Sequence, residues 1–341
     1  MTIPTTAGLI ATLDQELFIA EAVLSLAEQC DEVIVVDDAS TDATPDIVEA
    51  LALPNVTLVR NSERGGVSRA FNAAAALATS HVLLIQGGDD RSLPHRAAVQ
   101  AAALQDESVM LVHSAPTVID GVGRTLPSEL ASEFLAKPDE VDALEFLYFS
   151  SNYICAPAVA LRRADYLSLG GFRPGLDLLQ DFALWLLLGD AGEILDLETP
   201  VVEYRKHGAN LSREYVGLDS PKRRRLAAEM EFTLDWFTAI ASTGTLGKLA
   251  SHAGMDAGWF AALDRADQVA LIQLAHQQKI VNRRGLSHLF RLAGEREGEA
   301  RLAALGLTSG DLGRLSTLAD HNNLEDVGRA LAVIGALGLP H

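Results

Sequence analysis

The sequence predicts a doubly wound α/β fold, a mostly parallel sheet between layers of helices, followed by an all-α region. Three observations carry that reading. Apolar, β-branched runs alternate with helical stretches through the first half. Glycine-rich or acidic turns follow several of these runs, and from about Ser220 onward the periodicity is almost wholly helical.

The elements follow in order. "AGLIATL" is a first strand, and a helix runs from about Glu16 to Gln29. "DEVIVVDDAS" is strand then turn, and "TDATPDIVEALAL" opens a second helix with Thr41 or Asp42 as N-cap. "NVTLVRN" is a third strand, "GGVSRAFNAAAALATS" a third helix and "HVLLIQ" a fourth strand. Strands this uniformly apolar suit a parallel sheet covered on both faces. Near residue 110 the alternation breaks, and "VMLVHSAPTVID" and "ICAPAVALRR" read as strands of a mixed portion. A boundary is expected after "NLSREYVGLDSP", giving domains 1–218 and 219–341. Beyond it, "PKRRRLAAEMEFTLDWFTAIAS", "DQVALIQLAHQQKIV" and "NLEDVGRALAVIGAL" read as helices, and the basic run at 222–225 as a solvated helix start.

Composition narrows the function. The chain has 341 residues, 48% hydrophobic, with 27 basic and 46 acidic residues and a net charge of −19. That balance excludes nucleic acid as a general partner, because phosphate backbones need clustered cations. Two cysteines, Cys30 and Cys155, make neither a disulfide framework nor a zinc spacing and read as core residues. "MTIPTTAGLIATLD" lacks the charged and apolar regions of a signal peptide, and no run reaches the roughly 18 apolar residues of a membrane span. A soluble, cytoplasmic protein is expected.

Ligands of such sheets bind beyond the carboxyl ends of the strands. Two acidic pairs, Asp37-Asp38 and Asp89-Asp90, fall there. Adjacent carboxylates at the end of a core strand repel each other and are costly to desolvate. A divalent cation held by their oxygens and facing a diphosphate relieves that tension.

The segments "FIAEAVLSLAEQ", "EVIVVDDASTDAT", "GGVSRAFNAAAALATSHVLLIQGGDD", "LGGFRPGLDLLQDFALWLLLGDAG" and "VVEYRKHGANLS", in this order, resemble the inverting family 2 glycosyltransferases of GT-A fold. The resemblance covers about residues 5 to 213, and the remaining third resembles no family. It implies transfer of one sugar from a nucleotide-diphosphate donor, UDP-linked by expectation, with Mn²⁺ or Mg²⁺ as cofactor. Asp89 and His207 become the metal ligands, and imidazole tilts the choice toward Mn²⁺. Thr12, Asp37, Asp38, Ser68, Asn72 and Asp90 become donor-binding residues. Asp181 becomes the general base that deprotonates the acceptor, and it could also cap the helix it opens.

Departures from the family pattern are plain. Gly87 stands where the metal motif has its first aspartate, and Gln180 where a glutamate precedes the base. Ala11 and Leu13 replace a proline and a tyrosine beside the nucleotide, and Phe71 replaces a common arginine, with Arg69 nearby. The Gln-x-x-Arg-Trp signature of processive synthases is absent, so one sugar per encounter is expected. The acceptor, a glycan, lipid-linked glycan, peptide or small molecule in polysaccharide or glycoconjugate synthesis, is left open. The helical region is expected to serve the acceptor or homo-oligomer formation. Two alternatives stand beside this reading. Gly87 and Gln180 suggest a weak or inactive nucleotide-binding assembly protein. A sugar-phosphate nucleotidyltransferase would want cations near the N-terminus, and "AGLIATLDQE" has none.

Overall fold

The computed structural model describes residues 4–127, 129–130, 134, 137, 140–207, 221–276 and 279–318. The chain divides into two compact units, 1–147 with 151–226, and 148–150 with 227–341. Residues 210–220 of the expected boundary segment and the last expected helix, "NLEDVGRALAVIGAL", lie outside the described residues.

The first unit is built on β1 (Thr6–Thr12), β2 (Glu32–Asp37), β3 (Val56–Arg60), β4 (Val82–Gly87), β5 (Arg91–Ser92), β6 (Val109–Ser114), β7 (Thr117–Ile119), β8 (Ala160–Arg162), β9 (Glu193–Leu197) and β10 (Val202–Arg205). A seven-stranded sheet has the order β3-β2-β1-β4-β8-β6-β9. Every neighbouring pair is parallel except those of β8, which runs against both β4 and β6. The carboxyl ends of β1, β2, β4, β6 and β9 therefore share one edge. A second sheet, β5-β10-β7, has β10 antiparallel to β5 and parallel to β7.

Burial explains why the runs became strands. Ile10, Val33, Val35, Val82, Leu84 and Val112 share one core with helix α1 (Ile19–Ala27). That helix buries Ile19, Ala22, Val23 and Leu26, a spacing of three and four residues that makes one stripe. Helix α2 (Thr44–Ala50) starts slightly later than the sequence suggests, and Asp42 Oδ1 accepts the Thr44 N–H at 2.9 Å from just outside it. Helices α3 (Val67–Leu77), α4 (Arg96–Ala103), α5 (Ala143–Phe149), α6 (Arg163–Ser168) and α7 (Gln180–Ala191) complete this unit's described helices, the last residues of α5 falling to the second unit. Helix α7 buries Phe182 through Leu186 and Leu188 on all sides, which its uninterrupted apolar text demands.

The second unit is helical, running through α8 (Pro221–Ile240), α9 (Thr243–His252), α10 (Ala257–Ala261), α11 (Arg265–Ala275), α12 (Lys279–Ala293), α13 (Gly298–Ala304) and α14 (Ser309–Leu318). Ser242, Asp256 and Asp264 cap α9, α10 and α11 by accepting the backbone N–H three residues on. The periodic stretch "DQVALIQLAHQQKIV" is not one helix. His276 leaves α11 with ψ 139°, and α12 begins at Lys279. Among the described residues no helix is long and apolar enough to cross a membrane.

His276 carries a pH prediction. It is buried against Tyr148 and Phe149, with Nε2 at 2.6 Å from the Tyr148 carbonyl. Burial pulls its pKa down to about 4, so the folded unit holds it neutral. The unfolded chain binds a proton near pH 6.5, so stability falls as pH drops from about 6.5 toward 4. Melts at pH 7 and pH 5 should differ by about 2 kcal/mol from this group, and His276→Gln should flatten that slope.

Candidate active site

The shared strand edge assembles the first group of expected residues. Thr12 ends β1, registered against Asp37 at the end of β2, and Ala11 is registered against Gly87 at the end of β4. Thr12 is buried, and its hydroxyl donates to Gln15 Oε1 at 2.8 Å. Asp37 and Asp38 diverge. Asp38 accepts the N–H groups of Gly65 (2.8 Å) and Gly66 (2.7 Å) and the Asn61 amide (3.0 Å), pinning the turn before α3 to the sheet. Gly66 has φ +87°, a conformation costly for any side chain but glycine's. Asp37 Oδ2 accepts the Ser40 N–H at 3.1 Å. Its Oδ1 is buried and has no hydrogen-bond partner among the described residues.

The second pair also splits. Asp89 Oδ2 lies 2.9 Å from His207 Nε2, each side chain 14% exposed, across 118 positions of sequence. Asp90 turns inward, only 2% exposed, and accepts the Arg205 N–H at 2.9 Å. Burial first, and then the charge of Asp89, lifts the Asp90 carboxyl well above the usual carboxylate range. The Arg205 N–H and the charges of Arg205 and Arg96 oppose that rise. The second sheet makes this arrangement. Strand β5 follows Asp90 directly and pairs with β10, whose last residue is Arg205, two before His207.

Arg205 is the brace. Its side chain donates to the Asp89 carbonyl (2.8 Å), the Asp120 and Gly121 carbonyls (3.3 and 3.4 Å) and Glu21 Oε2 (2.7 Å). Its guanidinium also lies 4.9 Å above the Phe18 ring, which packs on His207. Below, fully buried Arg96 donates to the Ile85 and Val159 carbonyls and to Ser92 Oγ, and Gln86 donates to the Asp90 carbonyl. Burial lowers Arg96 to about 10, which leaves it charged at neutral pH.

Gly87 now has a local reason. A Cβ there would lie 2.7 Å from Asp89 Oδ1 and 2.9 Å from Asp90 Oδ2, and buried Asp90 has no room to retreat. Restoring an aspartate with Gly87→Asp should therefore destabilise the protein by about 1–3 kcal/mol, the usual cost of overpacking. Thermal unfolding with and without Mn²⁺ checks this, and a more stable, metal-tightened variant would contradict it.

The remaining expected residues sit on α3 and α7. The Ser68 hydroxyl donates to the Leu176 carbonyl at 3.3 Å. Asn72 ties α3 to the chain beyond α6, donating to the Phe172 carbonyl and accepting from Phe172 N–H and the Tyr166 hydroxyl. A cleft of about 250 Å³ opens between Gly65–Arg69 and Pro174–Asp177, with Arg69 in its wall. Asp181 stands in the first turn of α7, where its Oδ2 accepts the Asn152 amide at 3.3 Å. An acidic group at a helix N-terminus is favoured in its charged form. Sequence reasoning passed over Gln15, Phe18, Arg96 and Asn152, and it quoted Arg205 within a motif without a role.

A cation fits the Asp89–His207 pair. Their 2.9 Å separation is that of the hydrogen bond they make with each other, and the same two atoms would turn to a cation as ligands. One carboxylate oxygen and one imidazole nitrogen are a donor set suited to Mn²⁺. Among the described residues no group of three or more His, Cys, Asp or Glu gathers as a complete protein cage.

Residues 9–169 match the family model described as glycosyl transferase family 2. EpsE of Bacillus subtilis is 28% identical over 182 residues, which cover 50% of this chain and 61% of EpsE. The chain thus spans about three-fifths of that relative. The uncharacterised glycosyltransferase alr2836 of Nostoc sp. is 26% identical over 237 residues, 66% of this chain and 72% of its own. Among solved structures, Staphylococcus aureus TarS 1–349 in complex with UDP superposes with a TM-score of 0.55 at 19% identity, covering 85% of this chain and 92% of TarS 1–349. Its complex with UDP-GlcNAc gives 0.52 at 20% identity, covering 97% and 91%. At such identities the likeness concerns the fold, which is GT-A.

Proposed function

Taking residues 9–169 as a glycosyl transferase family 2 domain of GT-A fold, we propose that the chain is an inverting glycosyltransferase. It moves one sugar at a time from a UDP-linked donor in a metal-dependent reaction. The observation that carries this reading is the Asp89–His207 pair, 2.9 Å apart at the carboxyl edge of the sheet. Asp89 and His207 would hold the cation. When bound, such an ion neutralises the charge that grows on a departing diphosphate.

The other roles follow from chemistry at the same edge. Asp37 Oδ1, buried and without a partner among the described residues, wants an N–H donor. The ring N–H of uracil supplies one; guanine has a ring N–H as well, whereas adenine and cytosine have only exocyclic amino N–H groups on that edge. Thr12 and the Asp38-bound turn at Gly65–Gly66 shape the wall beside the nucleotide, and Ser68 and Asn72 fix α3 and the facing loop. Asp90 supports Asp89 from below by holding Arg205. Asp181 takes the acceptor hydroxyl's proton as that oxygen attacks the anomeric carbon opposite the diphosphate, which inverts its configuration.

Thermal shift with UDP and Mn²⁺ tests the reading. Ligand at about a hundred times its Kd should stabilise the parent by about 2.7 kcal/mol. Asp89→Ala and His207→Ala should lose the Mn²⁺-dependent part of that gain, and Asp37→Ala should weaken UDP with or without metal. Parental responses in all three variants would place the nucleotide elsewhere.

A further inference from the structure

The carboxyl edge of the sheet carries a second polar cluster, on the far side of β8. His113 and Asp196 are register partners near the ends of β6 and β9. His113 Nε2 and Asp196 Oδ1 stand 2.6 Å apart. The Tyr153 hydroxyl donates to Asp196 Oδ2 at 3.4 Å, and Lys137 Nζ lies 3.8 Å from the same oxygen. His113 and Tyr153 are buried and stack edge to face with ring centroids 5.3 Å apart. The Asp196 side chain is 37% exposed. Both ring nitrogens of His113 are buried and neither makes a well-aligned hydrogen bond among the described residues, so its hold on Asp196 is a close polar contact.

Position gives the cluster its meaning. Asn152 donates to Asp181, and its neighbour Tyr153 donates to Asp196. One dipeptide thus links the candidate base to this carboxylate. We propose that Asp196, held in place by buried His113 and Tyr153, is an acceptor subsite that takes hydrogen bonds from the hydroxyls of an uncharged carbohydrate beside Asp181. The inference rests on the glycosyl-transfer reading above and extends it to the second substrate.

The chemistry selects that class. Burial alone would lift the Asp196 pKa, yet the close imidazole of His113, with the charge of Lys137, holds the carboxyl below its usual value. An ionised carboxylate accepts hydrogen bonds and donates none. Among the described residues its Oδ2 has contacts of 3.4 and 3.8 Å, which leave lone pairs for hydroxyl donors. A phosphorylated or carboxylated acceptor would meet like charge at Asp196 and a chain of net charge −19. Two buried side chains fixing one half-exposed group is the arrangement of a prepared binding site.

Saturation-transfer NMR on the full chain with UDP and Mn²⁺ tests this. The probes are the methyl glycosides of glucose, galactose, mannose and N-acetylglucosamine. At least one should bind the parent. Asp196→Asn should weaken it by about ten- to a hundredfold, the worth of one hydrogen bond to a charged group, with UDP affinity at its parental value. Tyr153→Phe keeps the ring, should weaken binding in the same direction by a smaller factor, and carries the test if Asp196→Asn does not fold. Equal glycoside affinity in the folded variants overturns the proposal. So does binding of a serine- and threonine-containing peptide, or of no glycoside at all, by a parent that binds UDP. A parent that binds no UDP sinks the glycosyl-transfer reading first, and this inference with it.

Discussion

Asp181→Asn is expected to keep UDP binding while transfer falls by about two to four orders of magnitude, the range for removing a general base. The exchange isolates basicity from shape. Asparagine has the same size and keeps a side-chain oxygen, so a purely structural role in the first turn predicts near-parental turnover and a stability loss of about 0.3–1 kcal/mol, the worth of a charge at a helix N-terminus. The local contacts agree with that separation. Asp181 Oδ1 accepts the Phe182 N–H at 2.6 Å, and an amide oxygen can do the same. The other oxygen meets the Asn152 amide, which would face a second donor after the exchange. A small melting shift is therefore expected from that contact alone, against a large loss in kcat. Parental turnover in a folded Asp181→Asn protein would remove the residue from the mechanism.

The second large effect belongs to Arg205. Arg205→Ala should cost about 3 kcal/mol or more, because it removes a buried guanidinium that bonds three carbonyls and a carboxylate at once. Asp89 and His207 both depend on it. It bonds the Asp89 carbonyl, and it packs on the Phe18 ring that touches His207. The variant should therefore lose the Mn²⁺-dependent response to UDP along with stability. Arg205→Lys keeps the charge but not the fork that spans all four partners, so it should recover only a fraction of either loss. Full recovery by lysine would show that charge alone matters there.

The sequence made the central strands legible because each is a continuous apolar run buried on both faces. Strand β5 was not legible, and β7 was legible only as the tail of the longer run "VMLVHSAPTVID". A two- or three-residue strand has no periodicity, and its pairing with β10 joins residues more than 80 positions apart. The same distance hid Arg205, since a motif names a residue and not what it holds. The adjacent aspartates show the limit most clearly. Their spelling suggested two carboxylates waiting for one cation. In the fold Asp89 meets His207 and Asp90 is buried on the backbone of Arg205, while burial and the charge of Asp89 still push the Asp90 carboxyl upward. Asn72 is similar. The motif pointed to the donor, and the structure shows its side chain occupied with Tyr166 and Phe172.

Strand β8 is three residues long and opposed to both neighbours, and among the described residues it alone joins β3-β2-β1-β4 to β6-β9. In folding terms it is a keystone, since through it β6 and β9 reach the rest of the sheet. Strand β4 returns over 76 positions to pair with β1 (Thr6 with Val82), and β8 returns over the same span to pair with β4 (Leu84 with Ala160). Contacts of such sequence separation carry a large loop-closure cost and form slowly. A chain halted before that insertion would present two open sheet edges, both apolar and ready to pair with another molecule. The seam between β4 and β6 is thus also a step at which this protein is exposed to aggregation.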